Sequence, residues 1–385
     1  MIPADSIKEP STPVSLTERG KLSAEERYYV ASQSELMWRK FRRHRVAFVS
    51  LFLLLGLYFI ALTFEFWAPY GSLSEQGMLS APPTHVYWTA PDGTWVGPYV
   101  RGITQKLDMA TFKRIPMEDE NTIYRLQFFV HGEPYRFWGL FDADLHFFGA
   151  ERPGKIFLLG TDELGRDLFS RILEGSRISL TIGLVGVAIS FILGCVIGGI
   201  AGYYGGFADL VISRVIEFLG SLPTTPLWMA LSAIIPTNMP IMQVYFLITV
   251  ILSLLSWTHL ARTVRSKLLE LREQDFVKAA RLVGASDLRI ILDHLLPGFM
   301  SYLIVSITLA IPGMILGETS LSFLGLGLRP PAVSWGVLLK GAQNVQNIVL
   351  RPWMLTPAIF VIVTVLLYNF IGDGLRDAAD PYKLG

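Results

Sequence analysis

Long uncharged runs of apolar residues, separated by short polar segments, dominate the chain. The first run, Val46 to Phe64, reaches the roughly 20 apolar residues that a membrane-spanning helix requires. The uncharged stretch from Phe218 to Thr258 is too long for one crossing, and prolines divide it around the turn "PTNMP". The later spans are predicted at about 178–208, 211–235, 242–260, 299–317 and 352–372. The pattern therefore predicts six transmembrane helices in an all-α polytopic membrane protein.

Glycines recur every four residues in the second run, at positions 194, 198, 202 and 206. This spacing leaves a smooth strip along one helix face, against which another helix can pack closely. A helix that is merely softened by glycine, with no special partner, is the alternative interpretation.

Positively charged residues set the expected orientation. Five of them lie in "WRKFRRHR", directly before the first span, and such clusters mark the cytoplasmic side. Six crossings then place both termini in the cytoplasm, with 65–177 outside and 261–298 inside. The seven Arg and Lys residues of 261–298 agree with this topology, and an outer loop as long as 65–177 translocates regardless of its charge.

Composition supports the membrane assignment and excludes several other classes. Hydrophobic residues make up 51% of the chain, charged residues 17%, and the net charge of +1 gives no basic field for nucleic acid. The single cysteine, Cys195, excludes an internal disulfide and a multi-cysteine metal site. The expected divisions are an N-terminal tail without a cleavable signal at 1–45, a first transmembrane helix at 46–66, an outer insertion at 67–160 and a five-helix core at 161–385.

The inner segment 261–298 is longer than a connection between two spans requires. Two helical patterns meet there at Gly284, a natural stop with access to the left-handed conformation. Ser286 or Asp287 is expected to cap the second helix, which Pro297 ends. The apolar side of the first helix is predicted from Leu268, Leu271, Phe276, Ala279, Ala280 and Val283. A bent pair of helices that projects from a membrane bundle can receive force from a soluble partner.

The same segment resembles the "EAA" loop of ABC importer permeases. Ala279, Ala280, Gly284, Leu296 and Pro297 match that pattern, whereas Lys278 and His294 stand where it has glutamate and isoleucine. The resemblance implies that contact with an ATPase is made by Lys278, Ala279, Ala280, Gly284, Ala285, Asp287, His294, Leu296 and Pro297.

Four further stretches narrow the resemblance. They are "LLGTDELGRDLFSRILEGSRISL", "GYYGGFAD", "ETSLSFLGLGLRPPAVSWGVLL" and "GDGLRDAADP". Together they resemble the permease subunits of dipeptide, oligopeptide and nickel ABC importers, specifically the subunit with a cytoplasmic tail and a long first periplasmic loop. The similarity covers about 37–66 and 156–385.

This resemblance implies a multi-pass subunit of the bacterial inner membrane that forms half of a translocation pathway for peptides. Its implied partners are a second homologous permease, two ABC ATPases, a periplasmic or lipid-anchored substrate-binding protein and membrane lipid. The chain has no G-x-x-x-x-G-K-[ST] motif with which to bind ATP phosphates. It is therefore expected to be no enzyme and to bind no cofactor, while ATP and Mg²⁺ lie on the partner subunits.

Other functions remain as alternatives. Related permeases carry nickel or other organic solutes, although no cluster of His, Met and Cys here suggests a metal path. An ion-coupled secondary transporter would require coupling residues near the bilayer midplane and often an inverted repeat, and the sequence shows neither convincingly. An intramembrane enzyme is disfavoured because H-E-x-x-H and G-x-S-x-G motifs are absent from the sequence.

The outer segments offer weaker candidates. "VYWTAPDGTWVG" and "YRLQFFVHGEPYRFWGLF", with its turn at "HGE", predict hairpins of a β-containing cap, either a guide for a binding protein or a decoration. Residues 160–177 predict a solvated amphipathic helix, with Arg166 and Asp167 as alternative docking residues. Glu318, Ser320 and Ser322 are candidates for the pathway or its outer mouth, beside an irregular segment at Gly325 and Gly327. Glu217 is expected to pair with Arg214, and Trp335 to anchor at the membrane interface.

Overall fold

The computed structural model describes residues 33–89, 93–107, 109 and 114–380 of the 385-residue chain. Within these residues, long helices form the body and a four-stranded sheet forms the insertion. The predicted fold class, a helical membrane body with a β-containing insertion between its first two spans, is confirmed. The predicted disordered tail at 1–25 lies outside the described residues.

The helices follow one another with few long connections. In chain order they are α1 Gln33–Arg43, α2 Arg45–Leu62, α3 Phe64–Trp67, α4 Leu168–Tyr204, α5 Gly206–Ser221, α6 Thr224–Ala233, α7 Ile241–Leu271, α8 Asp275–Leu282, α9 Asp287–Arg289, α10 Leu296–Gly298, α11 Met300–Phe323, α12 Trp335–Lys340, α13 Val345–Leu350 and α14 Thr356–Ala379. A π-helical turn, Ile290–Leu295, separates α9 from α10, and a 3₁₀ turn, Pro352–Leu355, precedes α14.

Five helices in the described part of the chain are long and apolar enough to cross a membrane, namely α2, α4, α7, α11 and α14 with its preceding turn. The span predicted at 211–235 is instead divided into α5 and α6. Leu222 and Pro223 leave the helical conformation, with ψ values of 135° and 119°. Steric conflict with the proline ring disfavours a helical residue before proline, which accounts for the break at Leu222. The two halves, of 16 and 10 residues, are each too short to qualify as a span.

Several helices run beyond the apolar segments that predicted them. α4 begins at Leu168 and not near 178, α7 continues to Leu271, and α14 continues to Ala379 through residues expected to form a polar tail. Apolar composition marks the part of a helix that lies in lipid, whereas the backbone hydrogen bonds continue past the membrane surface into charged sequence. The sequence therefore located the spans better than the helix ends.

The glycine strip of α4 packs directly on α7. A side chain added at Gly194 would meet Leu260 at 2.9 Å, and one added at Gly202 would meet the Arg265 carbonyl oxygen at 2.7 Å. A side chain added at Gly198 would approach the Ala261 carbonyl oxygen more closely still. The predicted close helix partner is thus confirmed for these three glycines. Gly206 does not belong to the strip, because it takes a positive φ of 56° at the start of α5.

The insertion contains strands β1 Tyr87–Thr89, β2 Trp95–Leu107, β3 Arg114–Phe137 and β4 Phe141–Ala150, paired antiparallel in that order. The first predicted hairpin is confirmed by the pairing of Thr89 with Trp95. The turn predicted at "HGE" is wrong. β3 passes through these residues with a register shift between His131 and Tyr135, and the chain reverses at Trp138 to Leu140. An irregularity in one strand, rather than a turn, explains the polar residues there.

Candidate functional site

Residues 275–298, here called the elbow, connect the end of α7 to the start of α11. Gly284 has φ of +80° and turns the chain between α8 and α9. Ser286 takes the extended N-cap conformation ahead of α9, although its side chain makes no capping hydrogen bond. The predicted pair of helices joined at a glycine is confirmed, while the second helix is composed of α9, the π turn and α10.

One face of the elbow is packed against the helical body. Val277, Ile290 and Leu295 are fully buried in a cluster with Leu268 of α7 and Leu303 of α11. This cluster joins the elbow to both helices that it connects. A force applied to the elbow would therefore be transmitted to α7 and α11 through side-chain packing.

The opposite face of the elbow is apolar and exposed. The predicted assignment of Phe276, Ala279 and Val283 to a packed side is wrong, since all three are exposed and Val277 takes the inward position. Both helices of the elbow carry apolar residues on their outward side. The helical periodicity of apolar residues therefore does not show which of the two faces is buried. The large exposed side chains are Phe276 (46%), Leu282 (90%), Val283 (86%), Leu288 (67%) and Leu292 (52%).

Two polar contacts tie the elbow to the C-terminal end of α4. The Tyr203 hydroxyl donates to Oδ1 of Asp287 at 2.6 Å, and the Arg281 guanidinium lies 5.3 Å from the Tyr203 ring centroid.

Asp209 of α5 forms an ion pair with Arg265 of α7, which holds the pKa of Asp209 below its usual value. The pair fixes α5 beside the part of α7 that leads into the elbow.

A groove of about 1400 Å³ adjoins the elbow between α7, α11 and α14. Leu271, Gly298 and Phe299 line it where the elbow meets the body, and Tyr302 lines it from α11. Its charged lining residues are Lys267, Glu270, Asp373, Arg376, Asp377 and Asp380. The groove is therefore lined by both apolar and charged side chains.

At the other end of the body, Glu318 joins three helices through serine hydroxyls. Its carboxyl group, fully buried, accepts hydrogen bonds from Ser322 at 2.8 Å, Ser334 at 2.7 Å and Ser179 at 3.2 Å. The same three hydroxyls accept backbone N–H groups of Leu328, Val337 and Trp335, respectively. One carboxyl group thus holds the irregular segment after α11, where Gly325 has φ of +77°.

Trp335 belongs to this buried region. Its side chain is fully buried and donates from Nε1 to the Ile172 carbonyl at 3.2 Å. The predicted role as an interfacial anchor is wrong, because the segment folds back between α4 and α14. The pairing of Arg214 with Glu217 at 2.7 Å is confirmed as an exposed contact of α5.

The solvated amphipathic helix predicted at 160–177 is only partly correct, because residues 168–177 form the largely buried start of α4 and residues 160–167 form a compact turn. Asp162 pairs with Arg166 at 2.7 Å and also with Arg171, and Asp162 and Arg171 are buried. Asp167 caps α4 by accepting from the Ser170 backbone N–H at 2.8 Å. Asp162 thus pairs with two arginines inside the protein, whereas the expected helix would have exposed these charges to water.

Comparison with known proteins identifies the family. Residues 194–383 match the family described as the binding-protein-dependent transport system inner membrane component. Residues 32–83 match the N-terminal transmembrane domain of oligopeptide transport permease C. The oligopeptide transport system permease protein OppC of Haemophilus influenzae is 42% identical over 224 residues, which cover 58% of this chain and 69% of that protein.

The chain belongs to the family of binding-protein-dependent permeases. The glutathione transport system permease protein GsiD of Pectobacterium atrosepticum is 39% identical over 60% of this chain and 74% of that protein. The dipeptide transport system permease protein DppC of Bacillus subtilis is 38% identical over 60% of this chain and 70% of that protein. A methionine ABC transporter in an inward-facing conformation resembles the permease with a TM-score of 0.43 and 18% identity over 54% of this chain and 96% of that one.

As a member of this family, the permease is a multi-pass inner-membrane transport subunit of an ABC importer, and ATPases and a substrate-binding protein are its general class of partner. The predicted contact residues Lys278, Ala279 and Gly284 lie on the exposed elbow, as do Asp287 and His294. Ala280, Ala285 and Leu296 are half-buried, and Pro297 is exposed.

The residues predicted to line the outer mouth or to dock a binding protein differ in how far they are buried. Glu318, Ser322 and Asp167 are buried, so their side chains present no surface to a partner in this conformation. Ser320 is exposed and lines a small pocket with Trp228 between α6 and α11. Sequence reasoning missed the role of Ser179 and Ser334, because these residues are 139 and 16 positions from Glu318 and only the fold brings them to its carboxyl group.

Proposed function

We propose that this permease forms half of the translocation pathway of an ATP-driven peptide importer and that the elbow contacts one of two ATPase subunits. The observation that carries the proposal is the exposed apolar face of the elbow, with Leu282 and Val283 at 90% and 86% exposure. Exposed apolar residues grouped beside charged ones are typical of a protein interface. The EAA-like spacing supports an ATPase as the occupant.

In this arrangement a second homologous permease completes the pathway, and a periplasmic or lipid-anchored binding protein delivers the substrate. ATP and Mg²⁺ act on the ATPases, and this chain carries no catalytic step. Closure of the ATPases would move the elbow, and the buried contacts of Ile290 and Leu295 would carry that movement into α7 and α11. Both chain termini would lie in the cytoplasm, on the side of the basic cluster before α2.

Peptides are the proposed substrate because the similar permeases described above transport oligopeptides, dipeptides and glutathione by name. Ser320, beside Trp228, is the proposed lining residue, since it is exposed on a helix whose neighbours Glu318 and Ser322 point inward. The specificity itself is expected to rest largely with the binding protein.

Replacing Leu282 and Val283 together by serine tests the contact. Both side chains are almost fully exposed, so the variant should insert and fold while recovery of the ATPases with the purified complex falls sharply. The matched control replaces Val345 and Val349 of α13, which are 71% and 72% exposed, by serine and should leave recovery unchanged. Full ATPase recovery with the elbow variant would refute the proposed contact.

A further inference from the structure

The hairpin formed by β3 and β4 ends beside the first membrane span. Trp138, in the turn of the hairpin, donates from Nε1 to the carbonyl oxygen of Leu62 at 2.6 Å. Leu62 is the last residue of α2, where carbonyl groups lack partners within the helix. Arg177 of α4 donates to the same oxygen at 3.1 Å. The tip of the hairpin is therefore fixed at the depth at which α2 leaves the membrane.

Apolar surface continues from α2 onto the hairpin. The outward residues of α2 include Phe52, Leu55 and Phe59, which are 55–59% exposed and form a lipid-facing surface in a membrane protein. Phe59 contacts Trp67 of α3, with ring centroids 6.5 Å apart, and Trp67 contacts Phe147 of β4 at 4.8 Å. The aromatic contacts thus run without interruption from the span to the sheet.

The tip itself is exposed and apolar. Trp138, Leu140 and Phe141 are 54%, 69% and 58% exposed, and the Phe137 ring stacks between those of Trp138 and Phe141 at 5.6 and 5.8 Å. The next pair of residues along the strands, Arg136 and Asp142, forms an exposed ion pair at 3.1 Å. Apolar aromatic residues at the end of the hairpin are thus followed directly by charged ones.

A second exposed aromatic pair lies further along β3. Phe128 and Phe129 are adjacent in sequence, yet both are about equally exposed, at 60% and 61%. Alternation along a strand would direct one of them inward, but Phe129 has φ of +57°, a conformation that is unfavourable for a bulky residue. The ring centroids of Phe129 and Phe66 of α3 are 6.3 Å apart, so Phe128 and Phe129 also border the end of the first span.

We propose that the hairpin tip, residues 137–141 with Phe128 and Phe129, lies in the interface of the lipid bilayer and binds phospholipid. Tryptophan and phenylalanine at a span end, with charged residues one step further out, are the composition of membrane interfacial anchors. The insertion would then rest on the membrane and hold β1 and β2 at a fixed position above α4. Lipid is favoured over a protein partner because the tip is tethered at the end of a lipid-facing helix.

Depth-dependent fluorescence quenching tests this inference. A Cys195→Ser chain carries Leu140→Cys, labelled with an environment-sensitive dye, and is reconstituted in vesicles of phosphatidylethanolamine and phosphatidylglycerol. Nitroxide-bearing lipids with the quencher near the headgroup should quench the dye several-fold more than those with the quencher near the end of the acyl chain. Emission should shift to shorter wavelength, as expected for a dye out of water.

Thr104→Cys in the same background provides the matched control. Thr104 is exposed on β2, and its neighbour Gln105 donates to the Gly77 carbonyl at 3.0 Å. Gln76, next to Gly77 in sequence, donates its backbone N–H to the carbonyl oxygen of Gly165, which precedes α4. Arg177, which contacts the same Leu62 oxygen as the hairpin tip, lies nine residues into α4, about 14 Å further along the helix axis. The dye at 104 should therefore remain in water and resist both quenchers.

Two outcomes would overturn the inference. One is quenching at 140 no stronger than at 104, which would place the tip in water. The other is a dye at 140 that stays in water until a substrate-binding protein is added and is protected only then, which would make the tip a protein docking site. Neither result depends on ATPase binding, so the inference stands or falls independently of the proposed coupling contact.

Discussion

The hydroxyl of Tyr203 donates a 2.6 Å hydrogen bond to the carboxylate of Asp287. Tyr203 is the penultimate residue of α4, and Asp287 begins the second half of the elbow. The contact spans 84 residues of sequence and crosses from the membrane body to the exposed turn after Gly284. Packing at Ile290 holds the elbow from one side, and this polar contact fixes its rotation from the other.

Replacing Tyr203 with phenylalanine should loosen the elbow without dismantling it. The ring and its contact with the Arg281 guanidinium remain, but the hydrogen bond to the charged Asp287 carboxylate, worth about 1.5–3 kcal/mol, is lost. Limited proteolysis of the purified chain should cleave faster after Arg281 or Arg289, and substrate-stimulated ATP hydrolysis by the complex should fall. Tyr204→Phe is the control, because Tyr204 is 60% exposed and lies on the adjacent position of α4. Equal cleavage of both variants would contradict the role of the contact.

Gly284→Val should disrupt the elbow through the backbone alone. A side chain at this position would meet no atom within 4 Å, so steric space is not limiting, but φ of +80° is strongly disfavoured for a β-branched residue. The left-handed conformation costs at least about 1–2 kcal/mol for such a residue, and the turn is expected to shift. ATPase subunits should then be lost on purification while the chain still inserts in the membrane.

Gly284→Asn separates conformation from side-chain size in the same experiment. Asparagine tolerates the left-handed region far better than valine, so this variant should retain most ATPase binding. If both variants bound ATPases equally well, the positive φ of Gly284 would have no part in coupling. If both lost binding, a direct contact at this position would be the better explanation.

The elbow shows which part of the structure the sequence could predict. Gly284 was identifiable because glycine has a conformational property that no neighbour shares. The inward direction of Val277 was not, because Phe276 and Val283 are equally apolar and hydrophobic periodicity assumes one buried face. When an element is apolar on two sides, one for the body and one for a partner, sequence alone does not tell which is which.

The same limit applies to the polar residues at the other end of the body. In the sequence Glu318 is recognisable as an ionisable group at a span end, which predicts exposure along a pathway. Ser322 lies one helical turn from Glu318 on α11, but Ser179 and Ser334 are 139 and 16 positions away, and only the tertiary fold brings them to the carboxyl group. The prediction that Trp335 is an interfacial anchor is wrong for the same reason, since an interfacial and a buried tryptophan look alike in sequence.

Glu318→Gln should destabilise the segment after α11. The two carboxyl oxygens accept three hydroxyl groups, whereas glutamine offers one acceptor and an N–H₂ donor. If the glutamine amide nitrogen faces Ser179, the Ser179 hydroxyl proton has no acceptor. The hydroxyl oxygen already accepts the Trp335 backbone N–H, so this group can no longer be satisfied as a donor. A buried unsatisfied group costs about 1–3 kcal/mol, so the melting temperature of the purified permease should fall.

Ser320→Ala is the matched control for Glu318→Gln. Ser320 is on the same helix, two residues away, but its side chain is exposed and lies outside the serine cluster. Its removal should leave the melting temperature unchanged, and any effect should appear in peptide uptake instead. A Glu318→Gln chain as stable as the unaltered one would show that the carboxyl group does not hold the segment.

Asp167 should make the stability of the outer cluster depend on pH. Burial raises the pKa of its carboxyl group from 3.8 to about 7, against the opposing effect of the Ser170 hydrogen bonds, and nearby Asp162 adds to the increase. Because the folded-state pKa lies above the unfolded value, the folded chain retains a proton that the unfolded chain has lost between these two pH values. The stabilisation is therefore complete below about pH 4 and is lost as the pH rises through 7.

Asp167→Asn should remove this dependence, because asparagine keeps a side-chain oxygen for the Ser170 backbone N–H and does not titrate. The melting temperature, measured between pH 5 and 8, should decline less steeply for the variant than for the unaltered chain, with the two curves diverging toward high pH. Glu163→Gln, at a side chain that is 57% exposed four residues earlier in the chain, should leave the slope unchanged. Parallel curves for Asp167→Asn and the unaltered chain would show that the buried carboxyl group does not change its charge over this range.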